Sequence, residues 1–81
     1  MNTNVLDIIS QDFAKNQRAT VIHILSSIEL HHTMDGDANL EKTRLSILKL
    51  ANGNLDHIID LTASAKIDFR DVIMWASQEK K

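Results

Sequence analysis

Four histidines (His23, His31, His32 and His57) and the acidic segment Asp35-Gly36-Asp37-Ala38-Asn39-Leu40-Glu41 are the residues whose types could bind a metal or move a proton. The acidic segment places oxygen ligands on alternate residues, as calcium loops do. Those loops need Gly at the sixth position and a bidentate Glu at the twelfth. Counted from Asp35, these positions hold Leu40 and Ser46. The segment therefore reads as a turn and a helix cap, with Asp, Asn and Gly serving local hydrogen bonds and backbone freedom. Glu29 and His32 have the Glu-x-x-His spacing of di-iron bundles, but such sites need a second copy and two more carboxylates on facing helices. The chain holds no second copy. His31 and His32 are adjacent, so on a helix they diverge by about 100°. They are expected in the last turn of a helix, where the dipole favours positive charge. His57 is expected on the exposed side of its helix, and His23 off the inward stripe.

Nucleophilic catalysis needs a hydroxyl or thiol beside a base that a third group orients. No Ser sits in a strand–turn–helix elbow or beside a Gly-rich oxyanion loop, and two glycines leave no phosphate-cradling loop. The helix–turn–helix pattern around Asn52-Gly53-Asn54 has the outline of a DNA-binding unit. Its second helix opens with Asp56, His57 and Asp60 and has no Lys or Arg before Lys66. Phosphate contacts need basic side chains, so the pattern reads as an ordinary helical hairpin. No catalytic, cofactor-binding or metal residue is assigned.

Composition narrows the classes further. The 81 residues are 43% hydrophobic and 25% charged with net charge −2, a balance of globular rather than disordered chains. With no Cys there is no disulfide framework and no thiolate zinc site. No apolar run approaches the ~18 residues of a membrane span, and no signal-peptide pattern opens the chain, so a cytosolic protein is expected. One domain over residues 1–81 is expected, with Lys80 and Lys81 frayed. Ten Ile and nine Leu against three aromatics (Phe13, Phe69 and Trp75) must supply the core. Small cores of this kind supply about 3–5 kcal/mol, and oligomerisation is a common reinforcement.

The elements that must position these residues are helices, and the absence of Pro permits them anywhere. Leu40, Arg44, Ile47, Leu48 and Ala51 trace one helical face. Asn39 or Asp37 is expected to cap it, and Asn52-Gly53 to end it in the left-handed conformation. Asn54 is the next N-cap, and Leu55, Ile58, Ile59, Thr62, Ala63 and Lys66 trace the following face. Asp68 is a third N-cap, with Asp71 completing a capping box and Ile67 stapled to Val72. Phe69, Val72, Ile73 and Ala76 form the inner face of this last helix. In the first half, Asn4 opens a helix with Leu6, Ile9 and Phe13 on one face. Val21, Leu25 and Ile28 define another stripe. Two helices, the second capped by Asn16, are preferred over one helix from about Asn4 to His32. The fold class is all-α, a small orthogonal or up-down bundle of four to five short helices.

Two segments carry a resemblance. Leu50-Ala51-Asn52-Gly53-Asn54-Leu55 has the form Leu-Ala-x-Gly-x-Leu. Ala65-Lys66-Ile67-Asp68-Phe69-Arg70-Asp71-Val72 has the form Ala-(Lys/Arg)-x-Asp-aromatic-Arg-Asp-(Val/Leu). The stretch containing them, roughly the last 35 residues, resembles a family of small uncharacterised bacterial proteins. The resemblance implies a bacterial source and a helical module; it implies no activity and no site residues.

What remains is surplus apolar surface. Val72-Ile73-Met74-Trp75-Ala76 is apolar for five residues, so Met74 and Trp75 point away from the inner face. Ile22, Ile24 and Leu30 lie off the main stripe of their helix, and Leu45, Leu50 and Leu61 add to the surplus. Trp and Met are enriched at interfaces, and large apolar patches mark partner surfaces. The function expected is a non-enzymatic protein–protein interaction module, homo-oligomeric (a dimer) or bound to a protein partner. Its interface is expected at Trp75 and Met74, with Ile24 and Leu30 on the other side. The alternatives are a metal-binding or catalytic helical protein using the histidines and the acidic loop, and a weak nucleic-acid binder.

Overall fold

A computed structural model describes residues 1–34 and 36–78. Asp35, the first residue of the acidic loop, and the tail expected to fray lie outside the described residues. The elements run α1 (Thr3–Asp12), α2 (Lys15–Ser26), a 3-10 turn (Leu30–Thr33), α3 (Asp37–Ala51) and α4 (Leu55–Gln78). The chain is an all-α bundle, with no strand among the described residues. No described helix is long and apolar enough to cross a membrane.

One apolar core joins all four helices. It contains Val5, Ile9, Phe13, Val21, Leu25, Ile28, Ile47, Leu48, Ala51, Ile58, Ala65 and Val72. Burying each large aliphatic contributes about 1.5–3 kcal/mol. The core absorbs most of the apolar surplus, because Ile22, Ile24, Leu45, Leu50 and Leu61 pack partly buried against it.

Helix starts follow local side chains only in part. Asn2, not Asn4, caps α1, its Oδ1 accepting from Val5 N–H at 3.0 Å. Val5 faces inward with Ile9 and Phe13, and Leu6 is exposed. The first half does break into two helices, at an extended Phe13 and Ala14. Asn16 lies inside α2, which starts after Ala14 without a side-chain cap. Gly36 precedes α3, so Asp37 and Asn39 sit in its first turn rather than capping it. Asn54 caps α4 as expected, accepting from His57 N–H.

Several helix ends are closed from outside. Neither α1 nor α4 has a basic residue in its last turn. Arg18 of α2 donates to Ser10 O (2.9 Å) and Phe13 O (3.1 Å) at the end of α1. Arg44 of α3 is buried and donates to Leu25 O and Ile28 O, both at 3.2 Å, where α2 ends. Its third nitrogen pairs with Glu41 at 3.2 Å. Lys49 of α3 donates to Ala76 O at 2.9 Å, in the last turn of α4. Cations suit the negative ends of helices, and here they come from neighbouring elements. Because α2 stops at Ser26, His31 and His32 do not lie in its last turn. They form a separate 3-10 turn, anchored by the buried Thr33 hydroxyl donating to Leu30 O.

The α3–α4 connection is tight. Asn52 (φ 48°) and Gly53 (φ 82°) are both left-handed. A Cβ at residue 53 would stand 3.0 Å from the Asp12 carbonyl oxygen, so glycine is needed both for its φ and for the close approach of α1.

The bend in α4 decides the shape of the molecule. A straight 24-residue helix would run about 36 Å, longer than the 32 Å longest dimension of the molecule. Asp68 alone is non-helical within α4, at φ −152° and ψ 100°. The chain turns there, and residues 69–78 fold back onto α3, as the Lys49–Ala76 bond shows. Asp68 is the cap expected of it: Oδ1 accepts from Arg70 N–H at 3.0 Å, and the Arg70 guanidinium binds the same carboxylate. These Arg70 bonds hold the Asp68 carboxyl below its ordinary range and push the guanidinium up. Arg70 rather than Asp71 meets the cap, so the expected capping box does not describe this turn. The expected staple is absent too. The extended Asp68 turns Ile67 outward to 89% exposure while Val72 is fully buried.

Candidate interaction surface

Residues 69–78 present two faces. Phe69, Val72 and Ala76 are buried inward, and Ile73 is half-buried beside them. Met74 and Trp75 remain on the outside, 47% and 41% exposed. Their backbone is fixed by the inner face, and the Ser77 hydroxyl donates to Met74 O at 2.7 Å. Leu30, in the 3-10 turn, is 42% exposed. Ile24 differs from the other three: it packs half-buried against the core from α2.

Besides Leu6, two apolar residues of α4 escaped the sequence reading. Ile59, assigned there to an inner face, is 49% exposed, and Ile67, assigned to a staple, is the barest large aliphatic of α4. The inward residues are Ile58, Thr62, Ala65, Phe69, Val72 and Ala76. Their spacing of 4, 3, 4, 3 and 4 is a heptad register, which would have placed Ile59 and Ile67 outside.

A groove of about 260 Å³ lies between α3 and the folded-back segment. Leu45, Ile73 and Ala76 line it together with Ser46, Ser77, Lys42 and Lys49. A second hollow of about 400 Å³ lies between α1 and α3, lined by Ile8, Asp12, Leu48 and Asn52 among others.

The histidines form no comparable centre. The His31 and His32 rings lie 4.0 Å apart, tilted by 40°. His31 Nδ1 stands 3.3 Å from Glu29 Oε2. His32 Nδ1 accepts from Glu29 N–H at 2.9 Å, closing the 3-10 turn. That acceptor role leaves only Nε2 of His32 for another partner. His23 and His57 are exposed on α2 and α4. Among the described residues no three His, Asp or Glu side chains group closely enough to hold a metal ion.

The three arginines and one lysine are engaged in the fold. Arg18, Arg44 and Lys49 close helix ends, and Arg70 holds Asp68. The first half of α4, the helix that would enter a DNA groove, exposes Asp56, His57 and Asp60. Compared with protein-family models, with curated proteins and with solved structures, the chain matches none.

Proposed function

We propose that this chain is a non-enzymatic cytosolic protein–protein interaction module that self-associates as a dimer. The interface lies on the outer face of residues 69–78, at Met74 and Trp75, with Leu30 and Ile24 as its other side. The observation that carries this reading is Trp75. The only Trp of the chain lies two-fifths exposed beside an exposed Met, on a segment whose other face fills the core. A large aromatic that could be buried on the inward face, but is not, suits the desolvated centre of an interface. The motifs that resemble the small bacterial family fall on the α3–α4 turn and on the Asp68 bend. They are positions that shape the chain, consistent with a bacterial helical module whose activity is binding.

Sedimentation velocity tests the reading. The unmodified chain is expected to associate at micromolar concentration, and Trp75→Ala to lower the mass without loss of helical signal. An unmodified chain that stays monomeric at high micromolar concentration overturns it.

A further inference from the structure

The buried positions of α4 keep one register across a bend that does not require it. Ile58, Thr62 and Ala65 precede Asp68; Phe69, Val72 and Ala76 follow it. Their 4-3-4-3-4 spacing passes through the bend without a skip, although the two halves point in different directions. Two helices joined at a corner have no reason to share a register, whereas one straight helix does. Residues 55–78 also contain no Pro and no Gly, so no backbone restriction enforces the corner. One extended residue and its carboxylate bonds to Arg70 maintain it.

The exposed apolar residues fit the straight form as well. At about 100° per residue, Ile59, Ala63, Ile67 and Met74 fall within about 80° of arc on an unbroken helix. In the folded-back form they are split between two helices, and Ile67 stands almost bare.

From these features we infer that α4 is a two-state element through which two copies of this chain exchange residues 69–78. When Asp68 takes helical angles, α4 becomes one helix too long for its own globule. Residues 69–78 then leave the α3 groove and enter that of a second copy. The occupant fits because it is chemically the same segment: Phe69, Val72 and Ala76 meet the same core, and Lys49 of one copy meets Ala76 O of the other. The exchange keeps these contacts, so its free energy rests on the hinge and on new surface between the copies. The stripe of Ile59, Ile67 and Met74 supplies that surface. This inference rests on the self-association proposed above and specifies its geometry.

Cross-linking separates the two. Ser46 and Ser77 line the same groove, and the chain has no Cys of its own. In Ser46→Cys/Ser77→Cys, the dimer fraction isolated by gel filtration is treated with a short bismaleimide and run on denaturing gels. Exchange joins the two chains, so a dimer band is expected. A dimer in solution that runs as an internally linked monomer overturns the exchange and leaves the Trp75 interface standing. Asp68→Ala, which removes the cap and favours helix at the hinge, is expected to raise the dimer fraction several-fold; Asp68→Gly is expected to lower it. A chain that stays monomeric in both the unmodified and Asp68→Ala forms, with full helical signal, overturns the exchange and the self-association together.

Discussion

Replacing Arg44 by Met tests whether α2 is closed from α3. Met keeps much of the aliphatic stem and removes three guanidinium contacts: Leu25 O, Ile28 O and Glu41. A buried acceptor left without its donor costs about 1–3 kcal/mol; Ile28 O is left so, while Leu25 O keeps the Ile28 N–H at 3.3 Å, so the loss is about 2 kcal/mol. The stranded Glu41 adds less, because its side chain is one-quarter exposed and can be rehydrated. An 81-residue fold holds about 4–12 kcal/mol in total, so Arg44→Met removes a large share of it. The corresponding fall in Tm is about 8–16 °C. Urea titration followed by far-UV circular dichroism measures the loss directly. The double variant Glu41→Gln/Arg44→Met is expected to lose less than Arg44→Met alone, since no carboxylate is then left without its partner. A loss below about 1 kcal/mol in Arg44→Met would refute the claim that this side chain braces the end of α2.

Two further substitutions probe the turns. Gly53→Ala meets both a left-handed φ and the Asp12 carbonyl at 3.0 Å, and is expected to destabilise by about 1–3 kcal/mol in the same titration. Asp68→Asn keeps the capping oxygen and removes the charge. The Asp68 carboxyl is depressed in the fold, so its charge stabilises above the ordinary carboxylate range, and this contribution is lost as pH falls through the depressed value. The gap in Tm between the unmodified chain and Asp68→Asn should therefore be open at neutral pH and close in strong acid; a gap that widens on acidification contradicts the pairing. It is small throughout, since the pair is solvated.

The sequence reading succeeded where a helix boundary is written locally. Asn54, Asp68 and the Asn52-Gly53 pair carry their own capping chemistry, and each acts where expected. It failed at the starts of α1, α2 and α3, where nearby polar residues offered caps the chain does not use, and at the end of α2, which is braced from outside. The end of α2 has local Ser27 and Ile28 bonds and is braced by Arg44, which local periodicity reads merely as one more inward residue of α3. The displaced histidines follow from that one error. In α4 the i, i+3, i+4 template admits both Ile58 and Ile59, whereas the heptad spacing actually used keeps only Ile58 inside. The exposed Met74 and Trp75 were legible because five consecutive apolar residues cannot share one helical face. Ile24 was not, because the packing of α2 on α4 and α1, which half-buries it, is a tertiary fact.

The remote closing of α2 also bears on how the chain comes into being. Synthesis proceeds from the N-terminus, and the side chain that bonds Leu25 O and Ile28 O lies nineteen and sixteen residues further along. A nascent chain therefore carries all of α2 before it carries the group that braces its end. Until Arg44 emerges, Leu25 O has the Ile28 N–H but not the guanidinium, and the stripe of Val21, Leu25 and Ile28 still has no α4 to cover it. The smallest nascent stretch in which α2 has this closure thus extends through residue 44, past the midpoint of the 81.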